Sequence, residues 1–133
     1  MTKEEHVQYW LNRSQRDIET AKSMFRSKHF DWSLFVAHLA VEKILKALWV
    51  MNNESNSPPR IHNLLRLAEG AKYQLTDDEI QFLGEVNEFQ TEARYDDFKY
   101  EFYKKCTPQF VEPYLKRMEE FQQCILNKLS SKQ

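Results

Sequence analysis

The segment from Val36 to Met51, "VAHLAVEKILKALWVM", is apolar around nearly its whole circumference when it is read as a helix. Helical spacing puts one apolar set on one side of the segment and a further apolar set on the opposite side. The first set is Leu34, Ala37, Val41, Ile44, Leu45 and Leu48, and the second is Phe35, Val36, Leu39, Ala47, Trp49 and Val50. A helix of this kind must be covered on two sides, so the sequence predicts a buried helix over residues 31–52.

The composition favours helices over strands. The 133 residues include only two glycines and four prolines, too few for the tight turns of a hairpin-rich protein. Leu, Glu, Lys, Ala and Gln dominate, and all five are good helix formers. With 41% hydrophobic residues the chain can build one core, and it is too short for two domains of usual size. We therefore expect an all-α fold with a single domain over residues 1–133.

Start and stop signals predict where the helices begin. Asp31 is the expected N-cap of the second helix, and Thr76 with Glu79 three residues later forms a capping-box pattern. Thr107 and Pro108 suit the N-cap and first position of the last helix. The predicted helices span about residues 4–27, 31–52 and 61–73, with two more starting at about residues 77 and 108.

Two segments are predicted to lie outside helices. Pro58 and Pro59 prevent residues 52–60 from continuing a helix. Residues 92–106 contain five aromatic residues without sustained helical periodicity, so we expect a frayed helix end and a packed loop there. Pro113 predicts either a kink in the last helix or a later start for it.

Charge is distributed unevenly along the chain. The formal net charge is −1, which argues against a nonspecific DNA-binding protein. Residues 77–101 hold two Lys or Arg against nine Asp or Glu, whereas the flanking parts carry a small positive excess. This pattern indicates either a solvated acidic face or self-complementary docking between two copies.

The chain shows no signal for export or membrane insertion. Its first ten residues lack a basic flank followed by an apolar run, and no apolar stretch approaches membrane-spanning length. Cys106 and Cys124 lack CxxC spacing, so they indicate neither a zinc cluster nor a disulfide framework. We expect a protein of the reducing cytoplasm.

Charged residues form a row on the predicted buried helix. His38, Glu42 and Lys46 follow one another at four-residue spacing, and Lys43 lies beside them. Unpaired ions in an enclosed helix would each cost several kcal/mol, so Glu42 and Lys46 should pair or meet a counter-charge. The row is therefore either a structural ion network or a strip that faces a phosphate or carboxylate ligand.

Three stretches resemble the HEPN domain family, and the resemblance covers nearly the whole chain. They are "AVEKILKAL" at Ala40–Leu48, "HNL" at His62–Leu64 and "ARYDD" at Ala93–Asp97. The resemblance implies an up-and-down bundle of four to five helices that usually forms a homodimer. It also implies a gene placed beside a minimal nucleotidyltransferase, in a toxin–antitoxin or stress system.

Many members of that family are metal-independent ribonucleases with an arginine followed, after four to six residues, by a histidine. No arginine of this chain has a histidine in that window, and after Arg94 the window holds Lys99, Tyr100 and Glu101. The resemblance therefore points to the branch with an A-R-Y motif, whose proposed role is nucleotide or partner binding without catalysis. A ribonuclease with an altered active site, using Arg94 for phosphate and His62 or Lys99 for protons, remains an alternative.

The predicted ligand-binding residues are Lys43, Lys46, His62, Arg94 and Tyr95, with His38 and Glu42 in support. Arg94 is expected to neutralise Glu42 across the bundle, or else to present its guanidinium to a phosphate. His62 is either the end of a buried hydrogen-bond network or a phosphate or acid–base group. Tyr95 is either a core aromatic residue or a stacking platform.

Other chemistry finds little support in the sequence. No glutamate is followed three residues later by a histidine, so a di-iron site is not indicated. Gly70 and Gly84 stand alone, which excludes a P-loop and a dinucleotide fingerprint, and we expect no cofactor. A third alternative is a homodimeric interaction module without a ligand. Its interface would be the second apolar side of the buried helix, where Phe35, Leu39, Trp49 and Val50 lie.

Overall fold

The computed structural model describes residues 1–132, with the side chains of residues 96, 97 and 132 excluded. The described part is all-α, as predicted. It contains six helices: α1 Lys3–Arg26, α2 Phe30–Asn52, α3 Leu64–Gly70, α4 Asp77–Arg94, α5 Asp96–Lys105 and α6 Pro108–Lys132. One buried core takes residues from every one of these helices. None of the helices within residues 1–132 is both long and apolar enough to cross a membrane.

Helix α2 lies at the centre of the bundle and packs against α1, α3, α4, α5 and α6. This confirms the prediction of a helix buried on two sides. The covering comes from the same chain, however, and Val50 is fully buried in it, so Val50 is not part of an exposed interface. Phe35, Leu39 and Trp49 remain partly exposed.

Two of the three predicted helix caps, at Thr76 and Thr107, are confirmed. Thr76 and Glu79 form the expected capping box, with each side chain accepting from the other's backbone amide. The Thr107 hydroxyl accepts from the amide of Phe110, and α6 begins at Pro108 as expected, with Pro113 inside it.

Two predicted boundaries were wrong. Helix α2 begins one residue earlier, at Phe30, without a side-chain cap, so Asp31 lies in the first turn, where its charge favours the helix dipole. Helix α3 covers Leu64–Gly70 rather than residues 61–73, because the Asn63 side chain caps it by accepting from the amides of Leu65 and Arg66.

Helix α5 corrects the prediction of a loop at residues 92–106. Among the side chains of residues 98–105, Phe102 is buried at 2% exposed, whereas Phe98, Tyr100 and Tyr103 are at least half exposed. Aromatic residues therefore lie on both the buried and the solvent side. That distribution hides the helical period on which the sequence-based assignment relies.

Candidate functional site

The buried carboxylate of Glu42 lies at the centre of the predicted polar row. Glu42 is 4% exposed and Lys46 is 9% exposed, and the Lys46 ammonium lies 3.4 Å from Glu42 Oε2. The other oxygen, Oε1, lies 2.9 Å from Nδ1 of His62. The predicted Glu42–Lys46 pair is confirmed, and Glu42 has two partners rather than one.

Arg94 does not neutralise Glu42, and this expectation was wrong. The Arg94 side chain is exposed, and its guanidinium carbon lies 5.2 Å from the centroid of the Phe35 ring. The two Glu42 oxygens are instead taken by Lys46, one helical turn away, and by His62. Arg94 is therefore held against an aromatic ring at the surface, with its charge directed to the outside of the bundle.

His62 reaches Glu42 from the loop between α2 and α3. Asn87 of α4 holds the end of this loop, because its Oδ1 accepts from the Leu64 amide and its Nδ2 donates to Asn63 Oδ1. The His62 side chain is 50% exposed. A carboxylate oxygen only accepts, so His62 forms this hydrogen bond by donating its Nδ1–H to Glu42 Oε1.

His38 lies fully buried beside these groups. Among the described residues neither of its ring nitrogens has a hydrogen-bond partner, although the backbone of His62 lies nearby. Burial lowers the pKa of His38 to about 4, and the Glu42 charge and the His62 backbone only partly oppose this shift, while the charges of Arg94 and His62 add to it. His38 is therefore neutral at physiological pH, with one N–H donor and one acceptor unsatisfied by the described chain.

Phe35 connects His38 to Arg94, and the sequence analysis did not assign it to the site. Its ring is stacked on the His38 ring at 6.3 Å between centroids, and it also carries the Arg94 guanidinium. The sequence contained one indication that Phe35 belongs to the site: Phe35 and His38 are three residues apart, which places both on one helical face. We call Phe35, His38, His62, Arg94 and Tyr95 the Arg94 site.

Tyr95 is 59% exposed, so it is not a core aromatic residue. It is the residue at which α4 ends and α5 begins, directly after Arg94. Its ring is therefore accessible to a ligand at that corner of the bundle.

Lys43 and Lys46 do not belong to the Arg94 site. Lys43 forms an ion pair with Asp17 of α1, on another side of α2. The Lys46 ammonium lies between Glu42 and the Trp10 ring, 5.2 Å from the ring centroid, and is mostly buried. The predicted set of cations is thus divided, because Asp17 of α1 engages Lys43 and Glu42 engages Lys46.

A cavity of about 360 Å³ along α4 is lined by Asn87, Glu88, Thr91, Glu92 and Phe98. Its two carboxylates would repel a phosphate, so it does not suit an anionic ligand. Within residues 1–132, apart from the excluded side chains, no group of His, Cys, Asp or Glu is arranged to hold a metal ion.

The family model described as HEPN domain matches residues 7–129. The chain therefore belongs to the HEPN domain family. Searches of curated proteins and of solved structures gave no significant match.

Proposed function

We propose that this HEPN domain binds a nucleotide through its phosphate groups at the Arg94 site and does not catalyse a reaction. The exposed Arg94 side chain, whose guanidinium carbon lies 5.2 Å from the centroid of the Phe35 ring, supports this proposal most directly. A guanidinium fixed in place loses little side-chain entropy on binding, which favours bidentate contact with phosphate oxygens.

Each residue of the Arg94 site has a role in this proposal. Arg94 supplies the charge, and the fully buried His38 supports the Phe35 ring on which Arg94 rests. The exposed Tyr95 ring offers a stacking surface for the base. Glu42 and Lys46 keep His62 in position and do not touch the ligand.

Isothermal titration calorimetry with ATP, GTP and their monophosphates tests the proposal. We expect binding by the wild-type protein and an affinity at least about tenfold lower in Arg94→Gln, as fits the loss of a charge-assisted hydrogen bond. Arg26→Gln is the matched control, since Arg26 is exposed at the end of α1 and outside the site. No heat with any of the nucleotides would overturn the proposal.

A second candidate function is a ribonuclease with an altered active site, and the Glu42–His62 hydrogen bond favours it. A buried carboxylate that orients an imidazole is a common arrangement for a general base. In this case the wild-type protein should degrade RNA, and both His62→Gln and Arg94→Ala should abolish the activity. Degradation that persists unchanged in both variants would reject this candidate.

We further propose that the protein acts as a cytoplasmic homodimer through the partly exposed side of α2, where Phe35, Leu39 and Trp49 lie. Phe35 would then contribute to both the interface and the Arg94 site. Sedimentation at micromolar concentration tests the dimer, and a stable monomer would refute it.

The proposed partner is a minimal nucleotidyltransferase, in a toxin–antitoxin or stress system. Membership of the HEPN family supports this assignment. The direct test is co-purification with the product of the adjacent reading frame, and an unrelated neighbouring protein would count against it.

A further inference from the structure

A basic groove lies between α1 and α2, where Lys43 meets α1. Its volume is about 190 Å³, and it is lined by Arg13, Arg16, Asp17 and Lys43. Three cations facing one carboxylate leave an excess of two positive charges. This basic groove shares no residue with the Arg94 site.

Two contacts hold the basic groove in shape. The Lys43 ammonium pairs with Asp17, and both side chains are less than one-fifth exposed. The Arg13 guanidinium carbon lies 5.3 Å from the centroid of the Tyr9 ring, a cation–π contact. Because Asp17 is engaged with Lys43, the excess charge of the groove resides on Arg13 and Arg16.

We propose that the basic groove binds one phosphate group between Arg13 and Arg16. Sites that enclose whole small-molecule ligands usually measure roughly 300–1,000 Å³, so this groove is too small to enclose a nucleotide. It can hold a single phosphate while the rest of the ligand lies in solvent. Arginine forks match the geometry of phosphate oxygens, and the Lys43 ammonium keeps the Asp17 carboxylate of the groove neutralised.

The concave setting distinguishes this groove from isolated surface cations. A phosphate seated there would approach Arg13 and Arg16 at once, and the protein walls would partly exclude water and strengthen each interaction. The side chains lose little conformational entropy when a phosphate binds, because Arg13 already rests on Tyr9 and Lys43 is already fixed by Asp17.

Titration with pyrophosphate, followed by two-dimensional NMR of the backbone amides, tests the proposal. We expect the amides of Arg13, Arg16 and Lys43 to shift. The double variant Arg13→Gln/Arg16→Gln should bind pyrophosphate at least about tenfold more weakly than the wild type. Both arginines are exposed, so the fold should be retained, and the same spectra verify this.

Two further variants make the test specific. Arg26→Gln/Lys28→Gln removes the same charge from exposed positions outside the groove and should leave these shifts unchanged. Arg94→Gln should also leave them unchanged while it weakens nucleotide binding at the Arg94 site. The basic groove and the Arg94 site have different sets of backbone amides. The proposal for one site can therefore fail while the proposal for the other holds.

A single-stranded RNA of about ten nucleotides, comparable to the site size of a small RNA-binding fold, distinguishes the sources of the phosphate. If the RNA shifts the same three amides, the ligand is an RNA backbone. If only pyrophosphate does, the ligand is a small phosphate compound. Shifts that miss all three amides, or equal affinity in the double variant and the wild type, would overturn the proposal.

Discussion

The Lys46 ammonium lies 3.4 Å from Glu42 Oε2, and both side chains are almost completely enclosed by the bundle. The pair spans one turn of the central helix α2, and His62 joins it through the second carboxylate oxygen. Enclosure makes the pair sensitive to the loss of either charge, because the remaining ion cannot be solvated by water.

Glu42→Gln should destabilise the protein by about 3 kcal/mol, since it leaves the buried Lys46 ammonium without a counter-charge. Urea unfolding measures the change. Glu119→Gln is the matched control, because it removes the carboxylate from the partly exposed Lys22–Glu119 pair. The control should cost less than about 1 kcal/mol. Equal losses in the two variants would contradict the enclosure of Glu42.

Stability should fall as the pH is lowered, because burial holds the pKa of His38 at about 4, below the ordinary value of 6.5. Between these two values the unfolded chain binds a proton at this position and the folded chain does not. Above pH 6.5, His38 therefore has no effect on the stability of the fold. As the pH falls from 6.5 towards 4, protonation of His38 in the unfolded chain lowers the free energy of unfolding. From about pH 7 to about pH 5 the loss should be about 2 kcal/mol.

Urea midpoints across that range measure the pH dependence, and His38→Leu should flatten it by about the same amount. His29→Gln is the control, since His29 is exposed and its removal should leave the slope unchanged. An identical slope in His38→Leu and in the wild type would show that His38 is not the responsible group.

Ser14→Ala should cost about 1–3 kcal/mol, because it breaks a buried polar link between three helices. The Ser14 hydroxyl donates to the Ala40 carbonyl at 2.6 Å and accepts from Nε2 of Gln122 at 2.9 Å. Without it the buried Gln122 amide loses its partner. Ser33→Ala is the comparison, since Ser33 only donates to the Ala21 carbonyl. In thermal or urea unfolding, Ser33→Ala should lower the stability less than Ser14→Ala does. A larger loss in Ser33→Ala would contradict the proposed link through Ser14.

The two glycines should respond oppositely to alanine. A Cβ at Gly84 would have nothing within 4 Å, so Gly84→Ala should stabilise α4 by about 0.5–1 kcal/mol through helix propensity. A Cβ at Gly70 would come within 2.9 Å of Trp49 Nε1, so Gly70→Ala must displace the indole and should not stabilise. Melting temperatures of the two variants test this, and a larger gain at Gly70 would contradict the packing of Trp49.

Three short stretches of sequence were enough to predict membership of the HEPN family, because their residue patterns can be recognised without knowledge of how the bundle packs. The family match over residues 7–129 confirms it. Helix α1, the capping box at Thr76 and the start of α6 were predicted for a similar reason. The capping box and the start of α6 depend on residues within about one helical turn, and α1 depends on the apolar periodicity along a single helix.

The sequence by itself also determined that α2 is enclosed and that Glu42 and Lys46 must pair or meet a counter-charge, since both follow from helical periodicity and the cost of burying a charge. Only the tertiary structure decided that His62 rather than Arg94 meets Glu42, that Arg94 rests on Phe35, and that Lys43 turns towards Asp17. Contacts between elements depend on the rotation of each helix and the path of each loop. The packing of the whole core sets these rotations and loop paths, and the periodicity along a single helix does not predict them.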